Sequence, residues 1–515
     1  MRAFEAQALD SISWGSIPWG AVLHMKTLGR PLALKELHQL VEGARIVGGA
    51  DTTCISLSCD TRTLRPGALF FAVPGYAEDG LAYAAQAVER GAVGIVAERE
   101  MPTPLGAPVL IVPDVRIAKA RAAAAFYDHP SRALDVIGVT GTNGKTSTTF
   151  MLRSILEHDG RLVGLLGTVG YDCGRGLQRS SNTTPDAIDL QRDLAEMVDR
   201  GLEAAVMEVS SHALAQHRVT DLQFRAGVFT NLSSEHLDYH KTMEAYRDAK
   251  ARLFEQLDSG AVAVLNADDP TSPYLRERCR CRVLTYGLLP GCAEVTARLK
   301  RMDIDGMAFD LVSPWGTVDV ISRFVGQHNL CNALAACATA LELGASLQAI
   351  KGAFEVLTTI PGRLEPVDRG QDFRVLVDYA HTDDALGKVL DALRPLTRGR
   401  LIVLLGCGGD RDRGKRPRMG AVASRLADVC IVTSDNPRSE EPGRIIEEIM
   451  AGVTGTAESR VVPDRRQAIR VALELARGGD IVLLAGKGHE DYQILGRERI
   501  PFDDRKVAEE VLWSL

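Results

Sequence analysis

Asp135-Val-Ile-Gly-Val-Thr140, running straight into Gly141-Thr-Asn-Gly-Lys-Thr146, decides how this chain reads. A β-branched strand that empties into a glycine-rich turn, ahead of a helix rich in Thr and Leu, is the context a phosphate-binding loop requires. Gly141 and Gly144 let backbone amides approach phosphate oxygens, Lys145 can neutralise them, and the Thr146 hydroxyl can reach a magnesium ion. Thr142, Asn143 and Ser147 complete the expected ATP-contacting stretch. Val139 stands where the generic GxxxxGK[ST] pattern has its first glycine, which weakens a motor or GTPase reading. A plain glycine turn with a solvated lysine is the competing explanation, and the strand in front of it argues against that.

Upstream, between Leu32 and Leu134, apolar strands at Ala68–Val73 and Val93–Ala97 alternate with a helical stretch from Leu81 to Arg90, an α/β pattern. Downstream, strands Ala204–Met207 and Ala261–Leu265 and a helix from Asn329 to Leu343 extend the central unit around a mostly parallel sheet. After Ile360-Pro-Gly362 the pattern restarts with strands at Arg374–Val377, Leu401–Leu405, Val429–Val432 and Ile481–Leu484, a Rossmann-like unit. A chain of 515 residues exceeds one core, so three α/β domains are expected, over 32–134, 135–358 and 359–515. Residues 1–31 form a tail, either mobile or the result of a start codon assigned too far upstream.

Sixty basic against 67 acidic residues give a net charge of −7, which offers nucleic acid or an anionic membrane no global attraction. Anionic ligands must be held by local groups. Cys279 and Cys281 form a CxC with no second pair to complete a zinc site, and the ten cysteines read as mostly buried thiols in a reducing compartment. No run reaches the roughly 18 apolar residues of a membrane span, and no basic region precedes an apolar core at the start, so a soluble, cytoplasmic monomer is expected.

Glu208, after the strand ending in Met207, stands where a second metal-holding carboxylate belongs, and the following Val-Ser-Ser-His212 is too polar for a core strand. Together with Gly141-Thr-Asn-Gly-Lys-Thr146 and Glu208-Val-Ser-Ser-His-Ala-Leu214, several later stretches resemble the Mur ligase family. They are Asn231-Leu-Ser-Ser-Glu-His-Leu-Asp238, Tyr246-Arg-Asp-Ala-Lys250, Gly326-Gln-His-Asn-Leu-Cys-Asn332, Pro361-Gly-Arg-Leu-Glu365 and Asp378-Tyr-Ala-His381. The motifs keep the family's order from Leu32 to the end of the chain.

The resemblance implies an ATP-dependent amide ligase. A substrate carboxylate attacks the γ-phosphate, and an amine displaces the resulting acyl phosphate. Anion meets anion, so catalysis rests on cations and positioned donors. By similarity Lys145 contacts phosphates, Thr146 and Glu208 hold one magnesium, and His236 helps to hold a second. Lys250, which unaided reading makes a solvent-facing helix residue, matches a lysine that the family carbamylates into a magnesium ligand. Asn329, Arg363, Asp378 and His381 resemble the family's nucleotide contacts. Asp383 departs from the family's usual proline, and an altered loop rigidity is the expected effect.

Asp435-Asn-Pro-Arg438 resembles the signature of members that add diaminopimelate, with the Arg438 guanidinium suited to grip a distal carboxylate that lysine lacks. Asp435, Asn436 and Pro437 belong to the same expected pocket, with Arg411 for a carboxylate and Gly486 and Glu490 for the distal amino group. A plain Asn-Pro turn is the alternative there. Asp60-Thr-Arg62 resembles the UDP-binding turn, with Thr61 in place of serine. Asn182, Thr183, Thr184, Ser210, Gln216 and Arg218 resemble contacts to a UDP-linked muramoyl dipeptide, while His212 and His217 read as structural. The implied reaction is therefore addition of meso-diaminopimelate to that dipeptide in peptidoglycan synthesis. A lysine-adding ligase, a folylpolyglutamate synthase and a P-loop ATPase without ligase activity are the alternatives.

Overall fold

Strands covered on both faces must be apolar throughout, and the central sheet is built from such strands. Its order is Tyr171–Asp172, Val163–Leu166, Ala204–Glu208, Asp135–Thr140, Ala226–Phe229, Val262–Asn266 and Arg282–Tyr286. All neighbours are parallel except the Tyr171–Asp172 edge. The computed structural model describes residues 26–75, 78–100, 105–180 and 182–515. Helices Lys145–His158 and Gln327–Glu342 pack together over one face, burying Met151, Leu152, Ile155, Leu334 and Leu341 in a common core with the strands.

The same core continues into an antiparallel sheet that the sequence reading did not anticipate, Thr296–Asp303, Gly306–Ser313 and Gly316–Ser322. Phe309, Leu311 and Val320 turn inward from it, while Arg298, Leu299, Lys300 and Arg301 face out.

The first domain is a five-stranded sheet, ordered Arg45–Val47, Val109–Ile111, Gly94–Ala97, Ala68–Phe71 and Ser56–Ser58. The single helix expected from Leu81 to Arg90 is a 3-10 turn, Gly80–Tyr83, leading into an α-helix, Ala84–Glu89. Its helix Val115–Phe126 is rich in alanine, and the short side chains let it lie against Ala187–Asp199 of the central domain, where Ile188 and Ala195 join its core. Most of the expected N-terminal tail lies outside the described residues. Residues 26–31 are docked, however: Lys26–Leu28 is a 3-10 turn, the Lys26 amide donates to Asp199 Oδ1 (2.7 Å), and the Arg30 amide donates to Phe126 O (2.7 Å).

The third domain carries a six-stranded sheet, ordered Glu365–Pro366, Arg374–Asp378, Ile481–Ala485, Leu401–Leu405, Val429–Val432 and Glu458–Val461, parallel but for its first strand. Asp378, Cys407, Asp435 and Gly486 all lie at or just past the carboxyl ends of these strands, the side on which open α/β sheets bind ligands. Among the described residues no helix is long and apolar enough to cross a membrane.

Candidate active site

The turn after strand Asp135–Thr140 needs glycine for steric reasons. A Cβ on Gly141 would lie 1.8 Å from Thr230 Oγ1, and one on Gly144, at φ +85°, would lie 2.2 Å from Asn332 Oδ1. Asn231 fixes the loop by accepting from the Thr142 amide at its backbone oxygen (2.8 Å) and from the Asn143 amide at Oδ1 (3.0 Å). The Lys145 ammonium donates to Gly141 O (2.9 Å) and Thr142 O (2.8 Å). Burial lowers its pKa, opposed by the carboxylates of Glu208 and Glu235.

Glu208 is the last residue of its strand and, at 1% exposed, points into the protein and not into solvent. Its Oε1 accepts from Thr146 Oγ1 (3.0 Å) and the Thr168 amide (2.8 Å), and its Oε2 accepts from Thr168 Oγ1 (3.0 Å). Arg363 reaches across from the third domain to donate to Thr146 Oγ1 at 2.9 Å.

Two cavities open from here. The first, about 980 Å³, is lined by Thr142 to Ser147 of the phosphate loop and by Glu208, Asn329, Arg363 and Asp378. The second, about 1000 Å³, is lined by Asn182, Arg411, Asp435, Asn436, Arg438 and Glu490, together with Gly486. Thr168, Thr183, Glu235, His236, Tyr379 and His381 line both and so form a shared wall. Gly141, Lys250, Pro437, Thr61, Thr184, Ser210, Gln216 and Arg218 line neither.

Glu235, which sequence reasoning passed over in favour of its neighbour His236, is central to that wall. Its carboxylate lies 3.7 Å from His236 Nε2 and 3.6 Å from His381 Nε2. Burial pushes this carboxyl up, but the two rings and the Lys145 ammonium outweigh it and hold it below the usual carboxylate range. Burial pushes His236 down to about 4 despite Glu235, and it lowers His381 as well. His212, read as structural, packs its ring 4.8 Å from that of His236 and lines the second cavity. His217 is satisfied by Thr220 Oγ1 at 3.1 Å.

Lys250 corrects the unaided reading, being 2% exposed. It shares the buried stripe Tyr246, Ala249, Leu253 and Phe254 of helix Met243–Glu255, with its amine 4.4 Å from the Tyr246 ring centroid. Burial, reinforced by Lys145, pushes its pKa well below that of an ordinary lysine.

The segments expected to bind the amino acid converge in the second cavity, all but Pro437 lining it. Asn436 is more than a turn residue: its Nδ2 donates to Glu490 Oε2 (2.8 Å) and its Oδ1 accepts from the Ile494 amide (3.0 Å). Arg438, at φ +54°, donates from Nη1 to Gly409 O at 2.8 Å. A Cβ on Gly409 would meet Pro437 O at 1.8 Å, so the two loops press backbone to backbone. Arg411 is depressed by burial and by the neighbouring Arg438 cation. Burial raises Glu490, whereas at Asp435 it is outweighed by Lys487, Arg465 and Lys415, which lower the pKa. Lys415 and Lys487 thus join the site without having been singled out from sequence.

Asp383 sits in a helix, not a loop as expected. It opens helix Asp383–Leu393 after the N-cap Thr382, whose Oγ1 accepts from the Ala385 amide at 3.2 Å. Proline is favoured at that first position and an acid suits the first turn, so the exchange keeps the helix start and adds a charge, which pairs with Arg418 Nε at 3.1 Å.

Of the expected UDP-muramoyl contacts, Asn182 and Thr183 line the second cavity, while Thr184, Ser210, Gln216 and Arg218 line neither cavity and are hydrogen-bonded to one another. Thr184 Oγ1 donates to Glu208 O (2.9 Å), Ser210 caps helix Ser211–Ala215, and Arg218 donates to Thr184 O (2.9 Å) and Gln216 Oε1 (2.8 Å). Thr61 turns its hydroxyl inward to Gln86 Oε1 at 2.7 Å.

Comparison with known proteins agrees with this architecture. Three family descriptions match in turn: Mur ligase family, catalytic domain, over 55–127; Mur ligase middle domain, over 139–340; and Mur ligase, glutamate ligase domain, over 362–488. The UDP-N-acetylmuramoyl-L-alanyl-D-glutamate--2,6-diaminopimelate ligase of Geobacillus thermodenitrificans is 47% identical over 484 residues, 93% of this chain and 98% of that protein. The protein of the same name from Geobacter metallireducens is 45% identical over 497 residues, 92% and 97% of the two chains. A solved structure bearing that name superposes with a TM-score of 0.67 at 33% identity, over 94% of this chain and 99% of the other. With three domains in the family's order and a phosphate-loop cavity sharing one wall with a second cavity of mixed charge, the chain belongs to the Mur ligase family of ATP-dependent acid–amino-acid ligases.

Proposed function

We propose that this ligase adds meso-2,6-diaminopimelate to UDP-N-acetylmuramoyl-L-alanyl-D-glutamate at the expense of ATP, a step of peptidoglycan precursor synthesis in the cytoplasm. The observation that carries the reading is the shared wall. A phosphate-loop cavity and a cavity with both guanidinium and carboxylate groups meet at Glu235, His236 and His381. A zwitterionic amino acid needs both charge signs, and its amine must reach the acid activated on the other side. The activity named for the two bacterial relatives supports the same assignment.

In this reading Gly141, Thr142, Asn143, Gly144, Lys145, Thr146 and Ser147 cradle the ATP phosphates, with Asn329, Arg363, Asp378 and His381 completing the nucleotide site. The dipeptide carboxylate attacks the γ-phosphate, releasing ADP. The amine then attacks the acyl carbon, expelling phosphate as the amide forms. Lys145 and Arg363 offset the repulsion of the first step. Asn182 and Thr183 orient the dipeptide, Thr184, Ser210, Gln216 and Arg218 brace them, and Thr61 supports the uridine turn. Arg438 and Arg411 take carboxylates of the incoming amino acid, and Glu490 with Asp435, Asn436, Pro437 and Gly486 forms the ammonium end.

Magnesium fits the Thr146–Glu208 pair, which offers hard oxygen donors. Among the described residues no three His, Cys, Asp or Glu side chains cluster as a complete cage, so substrate phosphates and water are left to fill the coordination shell. An ion held there would neutralise charge where the acid attacks phosphate. His236 and Lys250 would serve a second ion once the neutral Lys250 amine has combined with carbon dioxide, gaining an N–C bond and losing a proton to become a carbamate.

The test is phosphate release with ATP, magnesium and the UDP-linked dipeptide, comparing meso-diaminopimelate with L-lysine. Turnover favouring diaminopimelate is expected. A preference for lysine would overturn the amino-acid assignment, and release indifferent to either amine would overturn ligation itself.

A further inference from the structure

Asp384 lines neither cavity, yet its carboxylate ties the third domain to the phosphate loop. Oδ2 accepts from Asn143 Nδ2 at 2.8 Å, Ser233 Oγ at 2.7 Å and Lys388 Nζ at 2.8 Å. Asn143 belongs to the phosphate loop and Ser233 to the loop after strand Ala226–Phe229, so two separate loops of the central domain converge on one oxygen of the third. Both loops are otherwise stitched to each other. Asn143 O accepts from Thr230 Oγ1 (2.6 Å) and Asn231 Nδ2 (3.0 Å), and the Ser233 amide donates to Thr142 Oγ1 (2.9 Å).

The two acids that open helix Asp383–Leu393 divide their partners. Asp383 pairs with Arg418 inside its own domain, whereas Asp384 crosses the interface. The Thr382 cap fixes the first turn, where the positive end of the helix dipole favours a carboxylate. Lys388, one turn on, offsets the negative charge that would otherwise stand near the ATP phosphates. A further tie between this domain and the phosphate loop runs from Arg363 to Thr146, three residues after Asn143.

We propose that Asp384 is a positioning residue that docks the third domain onto the phosphate loop, setting the arrangement in which the amino-acid cavity faces the activated acid. The proposal rests on the ligase reading above. It concerns a geometry that only the docked state has, so its loss should fall on turnover more than on ATP affinity, most of whose proposed contacts, from 141–147 and Asn329, lie on the central domain.

The experiment measures amine-dependent phosphate release, with kcat and the KM for ATP, for Asp384→Ala, Asp384→Asn, Ser233→Ala and the Ser233→Ala/Asp384→Ala double variant. Thermal melting identifies any variant that fails to fold. Asp384→Ala is expected to lower kcat roughly 10- to 100-fold with KM for ATP within about threefold. Asp384→Asn, which keeps an acceptor oxygen, should recover part of that loss. The double variant should be no slower than Asp384→Ala alone, because the Ser233 hydroxyl then has nothing to dock on. Unchanged kcat in Asp384→Ala, or losses at Ser233 and Asp384 that simply multiply, would overturn the positioning role. Failure of the unmodified protein to release phosphate in response to an amine would instead overturn the ligase reading.

Discussion

Arg438→Ala should collapse discrimination between diaminopimelate and lysine without abolishing ligation. Arg438 spends Nη1 on Gly409 O at 2.8 Å, which leaves its Nε and Nη2 edge to match a carboxylate bidentately. Hydrogen bonds to charged groups contribute about 1.5–3 kcal/mol each, so two sharing one guanidinium should be worth about 3 kcal/mol. That is roughly 100- to 200-fold in kcat/KM for diaminopimelate. Loss of the Gly409 contact adds a loop penalty of about 1 kcal/mol, but it falls on both amines alike. The quantity to measure is therefore the ratio of kcat/KM for the two amines, from initial rates of phosphate release. Lysine should lose no more than about tenfold while diaminopimelate loses far more. If both fall by the same factor, Arg438 acts through the Gly409 loop alone and the carboxylate argument is refuted.

Incubation with 13C-bicarbonate should give a carbamate carbon signal that Lys250→Met lacks, since the buried, depressed Lys250 amine is the reactive neutral form; equal signals in both proteins would count against it. Asp504→Ala should destabilise the third domain by about 3–5 kcal/mol in urea, because it leaves Arg465, 1% exposed, without the carboxylate that it meets at 2.6 and 2.8 Å; a loss under about 1 kcal/mol would contradict this. Burial, the largest cause in each case, depresses His212, His236, His240, His328 and His489 to about 4, below the usual value near 6.5 of an unfolded chain. Between those values the unfolded state binds more protons, so stability held above pH 6.5 should fall as pH drops toward 4. A urea midpoint no lower at pH 5.5 than at pH 7 would contradict the assignment.

What could be read from sequence follows from how each element is buried. Strands such as Ala204–Glu208 and Leu401–Leu405 are covered on both faces and must be uninterrupted apolar runs. The sheet from Thr296 to Ser322 has one wet face, and Lys300-Arg-Met-Asp303 reads as a polar loop until its inward partners are known. Lys250 was legible in principle, since Tyr246, Leu253 and Phe254 surround its position at helical spacing. The start of helix Asp383–Leu393 was equally open, because a threonine followed by two acids is a capping pattern. Glu235 had no comparable signal beside His236, because its importance comes from His381 in another domain. Thr61 shows the remaining limit, in that a hydroxyl's identity does not reveal that it turns inward to Gln86.

The shared wall carries the strongest consequence for mechanism. Thr168, Thr183, Glu235 and His236 belong to the central domain, while Tyr379 and His381 come from the third, so neither domain encloses the reacting groups alone. An acyl phosphate must be kept from water, and a chamber completed by docking does this only once both substrates' domains meet. In the proposed reading, by contrast, ATP and the amino acid each find most of their contacts on a single domain, the phosphates on the loop at Lys145 and the amino acid around Arg438. Changes confined to the seam, at Asp384 or Glu235, should therefore weigh on turnover more than on the binding of either substrate. Changes within one cavity should do the reverse.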